Sequence, residues 1–215
     1  MQQKAQNNRN LPILFLHGWG GNKNSFLPIQ NYFNNYTKTI SIDLPVSKDS
    51  VLTLDDYKNI ALDAIKPYDK VNIIAHSFGG RIALLLSSST DIVEKQVLTG
   101  CAGLIPRLTF KRWLKKVRKI PSPDYAALNY IQKQTFKNIV NTNLKPVLSD
   151  VNANTLLIFG EKDNATPLYM AKTLNKNIKM CKLIIYKKCT HFAYLEKMNK
   201  FIADCENFLF KRDNL

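Results

Sequence analysis

The sequence predicts an α/β fold: an open, mostly parallel sheet of about six strands with helices on both faces. Three observations carry that prediction. Six short apolar runs of strand length alternate with helix-length amphipathic segments along most of the 215 residues, as βαβ units require. The first run, PILFLH, is almost wholly apolar rather than alternating, the pattern of a strand covered on both faces. A hydrophobic content of 45% in a chain of this length suffices for one domain with its own core.

Pro12–His17 (PILFLH) reads as the first strand. Asn24–Tyr36 follows as a helix with Phe26, Ile29, Tyr32 and Phe33 on one face. Thr39–Asp43 is the second strand, stopped by Leu44–Pro45. Thr53 opens a helix over Thr53–Ile65, and Asp55 and Asp56 in its first turn suit the helix dipole. Val71–His76 is the third strand, and a very tight turn leads into a helix over Phe78–Ser88. Lys95–Cys101 is the fourth strand. Thr155–Phe159 and Leu183–Tyr186 are the fifth and sixth, separated by a helix near Leu168–Asn175. A C-terminal helix is expected from near Ala193 to about Phe210. The alternation breaks once. Between Cys101 and Thr155 there are only two helical patterns, Thr109–Lys119 and Asp124–Asn141, an insertion of about 50 residues expected to cover one edge or end of the sheet.

Composition narrows the function. No apolar run approaches the roughly 20 residues of a membrane-spanning helix. The polar stretch Met1–Asn10 is not followed by a signal-type apolar region, so a cytoplasmic protein is expected. Cys101, Cys181, Cys189 and Cys205 are too few and scattered for a disulfide framework. His17, His76 and His191 lie far apart and form no HExxH pattern, so neither a metal nor another cofactor is expected. The formal net charge is +15, with 25 Lys against 6 Arg. Such a charge raises nucleic acid or an acidic membrane as partner. Lysine accumulated on a solvated surface is the favoured explanation, and no recognised nucleic-acid module is present, so no nucleic-acid partner is expected.

The chemistry concentrates in Ile73-Ile74-Ala75-His76-Ser77-Phe78-Gly79-Gly80. A buried strand ends, one serine follows, and small residues open a helix: a nucleophile elbow, in which close helix–strand approach demands small neighbours. Gly79 supplies the glycine two places after the serine, and Ala75 replaces the usual glycine two places before it. An ordinary buried serine at a βα turn would look similar. His17-Gly18-Trp19-Gly20-Gly21 follows the first strand as a glycine-rich loop. It fails as a Walker A loop, since Asn22 precedes Lys23, and as a dinucleotide loop, since position 23 is Lys23. It fits acyl chemistry, with the Trp19 and Phe78 N–H groups as a two-donor oxyanion hole.

A serine nucleophile needs a base, and the base an orienting acid. His191 is the only histidine after Ser77, just beyond the last strand. Asp163 lies in GEKDNATP, just beyond the preceding strand, with Glu161 and Asp150 as weaker candidates. These loops leave the C-terminal ends of strands, where open parallel sheets bind ligands. His17 and His76 flank the site as supporting groups.

With HGWGG, AHSFGGR, GEKDNATP and THF in this order, the chain resembles the α/β-hydrolase superfamily along nearly its whole length. The resemblance implies Ser77 as nucleophile, Asp163 as acid and His191 as base. It implies one domain over residues 1–215 with a helical cap at 104–150. Two departures stand out: the family usually has two further strands before the HG loop, whereas about ten polar residues precede Leu11 here, so a sheet trimmed to six strands is expected; and the cap is short.

The expected activity is that of a carboxylesterase-like hydrolase cleaving a small ester or thioester through an acyl-enzyme. Leu104, Tyr125 and Phe192 are expected in the substrate pocket. Residues 105–150 carry ten Lys/Arg and two acids, which leaves open a weak contact of the basic cap with an anionic substrate or membrane surface. Two other classes stay open: a C–C bond hydrolase or lyase similar to the menaquinone-pathway synthase, in which Arg81 would clamp an anion, and a non-catalytic binding protein on the same fold.

Overall fold

Successive strand residues point to opposite faces of a sheet, and in this protein both faces are dry. The computed structural model describes residues 11–105 and 126–210. The expected helix Thr109–Lys119, the start of the expected helix Asp124–Asn141, and Tyr125 lie outside the described residues. Strands β1 (Ile13–Leu16), β2 (Thr39–Ser41), β3 (Val71–His76), β4 (Val93–Thr99), β5 (Asn154–Gly160) and β6 (Cys181–Tyr186) form one sheet in the order β2-β1-β3-β4-β5-β6. Every neighbouring pair is parallel. Leu14, Leu16, Ile73, Ala75, Leu98, Leu157 and Phe159 face one core. Ile13, Phe15, Ile74, Val97, Leu156 and Ile158 face the other. Two buried faces explain the continuous apolar runs. Full burial of each Leu, Ile or Val is worth about 1.5–3 kcal/mol before the entropy of ordering it.

The helices divide according to which way the chain moves across the sheet. From β1 it steps outward to β2 through α1 (Leu27–Phe33), which packs Ile29 and Phe33 on the second core. It then returns past β1 to β3 through α2 (Leu54–Ile65), whose Tyr57, Ala61 and Ile65 pack on the first. Right-handed crossovers in opposite directions place helices on opposite faces. α3 (Phe78–Ser89) and α5 (Leu168–Asn177) join α2. The C-terminal α7 (Met198–Phe210) joins α1 through Phe201, Cys205 and Leu209. The reversal makes the C-terminal ends of the paired strands β1 and β3 a topological switch point, the place where open α/β sheets bind ligands.

Local sequence explains most element ends. Thr53 accepts from the Asp56 N–H while Asp56 accepts from the Thr53 N–H, so α2 starts with a capping box. α4 (Tyr130–Asn141) starts the same way with Asn129 and Gln132, inside the expected span 124–141. Pro28 falls in the first turn of α1, where its missing N–H costs no helical bond. Four expectations shift. The fourth strand lies two residues earlier, at Val93–Thr99, because Gly100 turns the chain at φ 54. The expected helix Ala193–Phe210 breaks at Lys197, at φ −131 and ψ 51, into α6 (Ala193–Glu196) and α7. The first helix is confined to Leu27–Phe33 rather than Asn24–Tyr36, with turns on either side. Between β4 and β5 the described residues hold no strand: residues 126–127 are helical, the chain leaves the helix at 128–129, so the expected helix Asp124–Asn141 is interrupted before α4, and a 3-10 segment follows at Lys145–Asp150. Among the described residues no helix is long and apolar enough to cross a membrane.

Candidate active site

The C-terminal ends of β1, β3, β5 and β6 deliver four loops to one place. At the end of β3 the backbone of Ser77 takes φ 50 and ψ −106, a left-handed conformation that costs a non-glycine residue about 1–3 kcal/mol. Three backbone bonds hold it. The Ser77 N–H donates to the Thr99 carbonyl at 3.0 Å, and the Ser77 carbonyl accepts from the Gly80 N–H at 3.1 Å and the Ala102 N–H at 3.4 Å. The glycine after the elbow is a packing necessity: a Cβ on Gly79 would sit 2.3 Å from the Leu16 carbonyl oxygen. Ala75 points into the dry core and is fully buried, so its methyl group has a place.

The loop after β1 passes beside the serine. A Cβ on Gly18 would lie 2.8 Å from His76 Nδ1 and 3.5 Å from Ser77 Cβ. The Gly21 N–H donates to the Gly18 carbonyl at 3.0 Å, closing a turn in which Gly20 takes φ 76. His17 braces that turn: its Nε2 accepts from the Leu44 N–H at 2.9 Å, so its Nδ1 carries the proton and donates to the Gly18 carbonyl at 2.7 Å. Burial pushes the His17 pKa down, against the opposing pull of the Gly18 carbonyl and Asp43. Phe78 opens α3, and helix geometry leaves its N–H without an intrahelical acceptor. The Trp19 ring packs edge-on against Phe78, centroids 5.7 Å apart, and against Phe136 at 5.1 Å.

Asp163 and His191 meet across the ends of β5 and β6, with His191 Nδ1 2.8 Å from Asp163 Oδ2. Asp163 is buried and richly bonded. Its Oδ1 accepts from the Ala165 and Thr166 N–H groups, each at 2.8 Å, and its Oδ2 from the Thr166 hydroxyl at 2.6 Å. Burial alone would raise its pKa; the bond and charge of His191 and the Thr166 donors outweigh it and hold the pKa below the usual carboxylate range. A carboxylate only accepts, so Nδ1 carries the proton and donates to Oδ2, which leaves the lone pair on Nε2. A Cβ on Gly100 would lie 3.0 Å from His191 Nδ1, so the turn that ends β4 lies against the imidazole. Among the described residues, Ser77 Oγ and His191 share no hydrogen bond in this conformation. The weaker acid candidates sit elsewhere: exposed Glu161 accepts from the Lys188 N–H, and exposed Asp150 from the Ser149 hydroxyl.

Beside Ser77 opens a cavity of about 180 Å³. Trp19, Phe78 and Leu104 line it together with Phe136, Ile139 and Met170. Phe192 is not among its walls; it is half exposed and packs on His76 and His191 at centroid distances of 5.3 and 5.5 Å. Sequence reasoning missed Thr166, which lines the cavity and bonds Asp163. A hydroxyl three residues beyond Asp163 was the available signal. It also missed the α4 wall, for which amphipathicity alone gives no address. Arg81 lines the cavity too, yet its guanidinium donates to the carbonyls of Thr142 and Val140 at the C-terminus of α4. Burial lowers its pKa to about 10. Among the described residues no group of three or more His, Cys, Asp and Glu side chains could hold a metal ion.

Known proteins resemble the chain along its length. It is 21% identical over 236 residues to a pimeloyl-[acyl-carrier protein] methyl ester esterase of Legionella pneumophila, covering 93% of this chain and 95% of that one. It is 23% identical over 188 residues to a 2-hydroxy-6-oxo-2,4-heptadienoate hydrolase of Pseudomonas putida, covering 71% and 67%. An alpha/beta hydrolase enzyme from a Medee basin deep-sea metagenome library superposes with a TM-score of 0.79 at 15% identity, covering 95% and 90%. The profile of the alpha/beta hydrolase family matches residues 13–204, which takes in all six strands and the loops at their C-terminal ends, and the chain belongs to that family.

Proposed function

We propose that the protein is a serine hydrolase that cleaves a small carboxylic ester or thioester through an acyl-enzyme. The observation that carries this reading is the elbow: Ser77 held at φ 50 at the same strand-end surface as a buried Asp163 bonded to His191 Nδ1. In this mechanism His191 Nε2 takes the Ser77 hydroxyl proton as Oγ attacks the carbonyl carbon. The Trp19 and Phe78 N–H groups hold the oxyanion. His191 returns the proton to the leaving alcohol or thiol, then takes one from water as it attacks the acyl carbon, and gives it to Ser77 Oγ as the acyl C–O bond breaks. Asp163 fixes the imidazole tautomer and stabilises the imidazolium without being protonated. The mechanism needs no metal or cofactor. The Legionella relative is named for a methyl ester, which supports an ester substrate.

The small, largely apolar cavity suits a short acyl group, with Leu104 in its wall. In this reading residues 104–150 form the cap of a single domain. The surplus of basic residues in 105–150 favours anionic substrates or an anionic surface. Neutralising Lys111, Arg112, Lys115 and Lys116 together is expected to slow hydrolysis of anionic esters more than neutral ones.

A fluorophosphonate probe is expected to label the protein, and Ser77→Ala to abolish labelling. Failure of the intact protein to label, and equal inactivity on p-nitrophenyl esters of every chain length, would leave a binding protein. The Pseudomonas relative supports a second reading, cleavage of a C–C bond in an anionic substrate held at Arg81. Labelling at Ser77 without turnover of any ester would favour it.

A further inference from the structure

One buried ionisable group touches the site without a part in the proposed chemistry. His76 is the last residue of β3, directly before Ser77, and is only 4% exposed. Its ring lies against His191, Phe192 and Tyr194, with centroids at 4.7, 5.3 and 4.8 Å. Its Nε2 lies 3.1 Å from the backbone carbonyl oxygen of His191. A carbonyl only accepts, so Nε2 carries the proton. The Nδ1 edge faces Gly18, whose missing side chain leaves the ring its room.

We propose that His76 is a positioning residue for the base: its Nε2–H, bonded to the His191 carbonyl, holds the loop carrying the imidazole at the height of the neighbouring Ser77. The inference rests on the proposed serine-hydrolase reading. Three packed rings fix the plane of His76, and one hydrogen bond transmits that plane to the His191 backbone. Side chain 191 is then set from both ends, by Asp163 at Nδ1 and by His76 at the main chain. Burial and the nearby His191 hold the His76 pKa down to about 3. It therefore stays neutral and puts no competing charge beside the imidazolium that forms during turnover.

Two variants separate the hydrogen bond from the packing. His76→Phe keeps a ring and loses the donor; His76→Gln keeps a donor near the Nε2 position. With p-nitrophenyl butyrate, His76→Phe is expected to lower kcat about 10- to 100-fold, the scale of a misplaced catalytic group, with KM within about twofold. His76→Gln is expected to recover kcat to within about threefold of the parent, on the same physical ground. A folded His76→Phe at parental kcat, a His76→Gln as slow as His76→Phe, or a loss appearing in KM alone would overturn the proposal. Nitrogen NMR of the parent imidazoles tests it without activity and whether or not the variants fold. One histidine locked as the Nε2–H tautomer and assigned to His76 is expected; the Nδ1–H tautomer at that residue would overturn it. Inactivity of the parent towards the ester and the fluorophosphonate would instead strike the serine-hydrolase reading.

Discussion

His191 Nδ1 and Asp163 Oδ2 stand 2.8 Å apart although 28 positions separate the residues. They meet because β5 and β6 are parallel neighbours in register, Gly160 opposite Tyr186, so both loops leave the same edge of the sheet together. The loops are also pinned to one another: the Lys162 N–H donates to the Cys189 carbonyl at 2.8 Å. A Cβ on Gly160 would lie 2.0 Å from the Thr190 carbonyl oxygen, so the two backbones touch where a side chain would stand.

Asp163→Asn is expected to lower kcat by about 10³- to 10⁴-fold while leaving the fold intact. The acid accepts from two backbone N–H groups at Oδ1, so the asparagine oxygen takes that side. The amide nitrogen then faces His191 as a donor and pushes the imidazole proton to Nε2, which the proposed mechanism needs unprotonated. Steady-state kinetics on the best p-nitrophenyl ester, with a circular dichroism spectrum of the variant, checks it.

Gly79→Ala is expected to destabilise the protein by about 3 kcal/mol or more or to prevent folding, since the new methyl group would have to displace strand backbone. The clash is with the Leu16 carbonyl at 2.3 Å, which no rotamer relieves. Ala75→Gly, two residues before the serine, is expected to fold and to cost only about 1–2 kcal/mol from lost burial and added chain entropy. Soluble yield and thermal melting of the pair are the measurement.

Phe136→Ala is expected to shift the preferred acyl chain towards longer esters. The ring is a wall of the 180 Å³ cavity and packs against Trp19, so its removal lengthens the apolar space without touching Ser77, Asp163 or His191. A chain-length series of p-nitrophenyl esters, compared as kcat/KM, reads the shift directly.

Acid is expected to destabilise the fold through His76 before the carboxylates respond. Its folded pKa is about 3 against 6.5 in the unfolded chain. Between those values the unfolded chain binds a proton that the folded chain refuses, so stability is full above pH 6.5 and falls as the pH drops towards about 3. The loss is at most about 1.4 kcal/mol per pH unit for one such group. His17 acts in the same direction. Denaturant unfolding from pH 7 to pH 4 checks this, and His76→Gln is expected to have the shallower slope.

Local properties of the chain made much of this legible in advance. Six strands, the elbow at Ser77 and the loops of Asp163 and His191 follow from side-chain period, from small residues where backbones converge, and from the order of the motifs. Element ends were less legible, because a left-handed Gly100 or a helix break at Lys197 reflects what the chain must do next in space. Tertiary structure alone decided the sheet order that sets the switch point at the ends of β1 and β3 and the Thr166 hydroxyl on Asp163. It also turned the Arg81 guanidinium to the end of α4, seated Phe136 in the cavity wall and left Phe192 outside it. Periodicity and capping act over a few residues and are written in sequence. Contacts between residues tens of positions apart depend on which strands become neighbours, and that is settled only when the whole core packs.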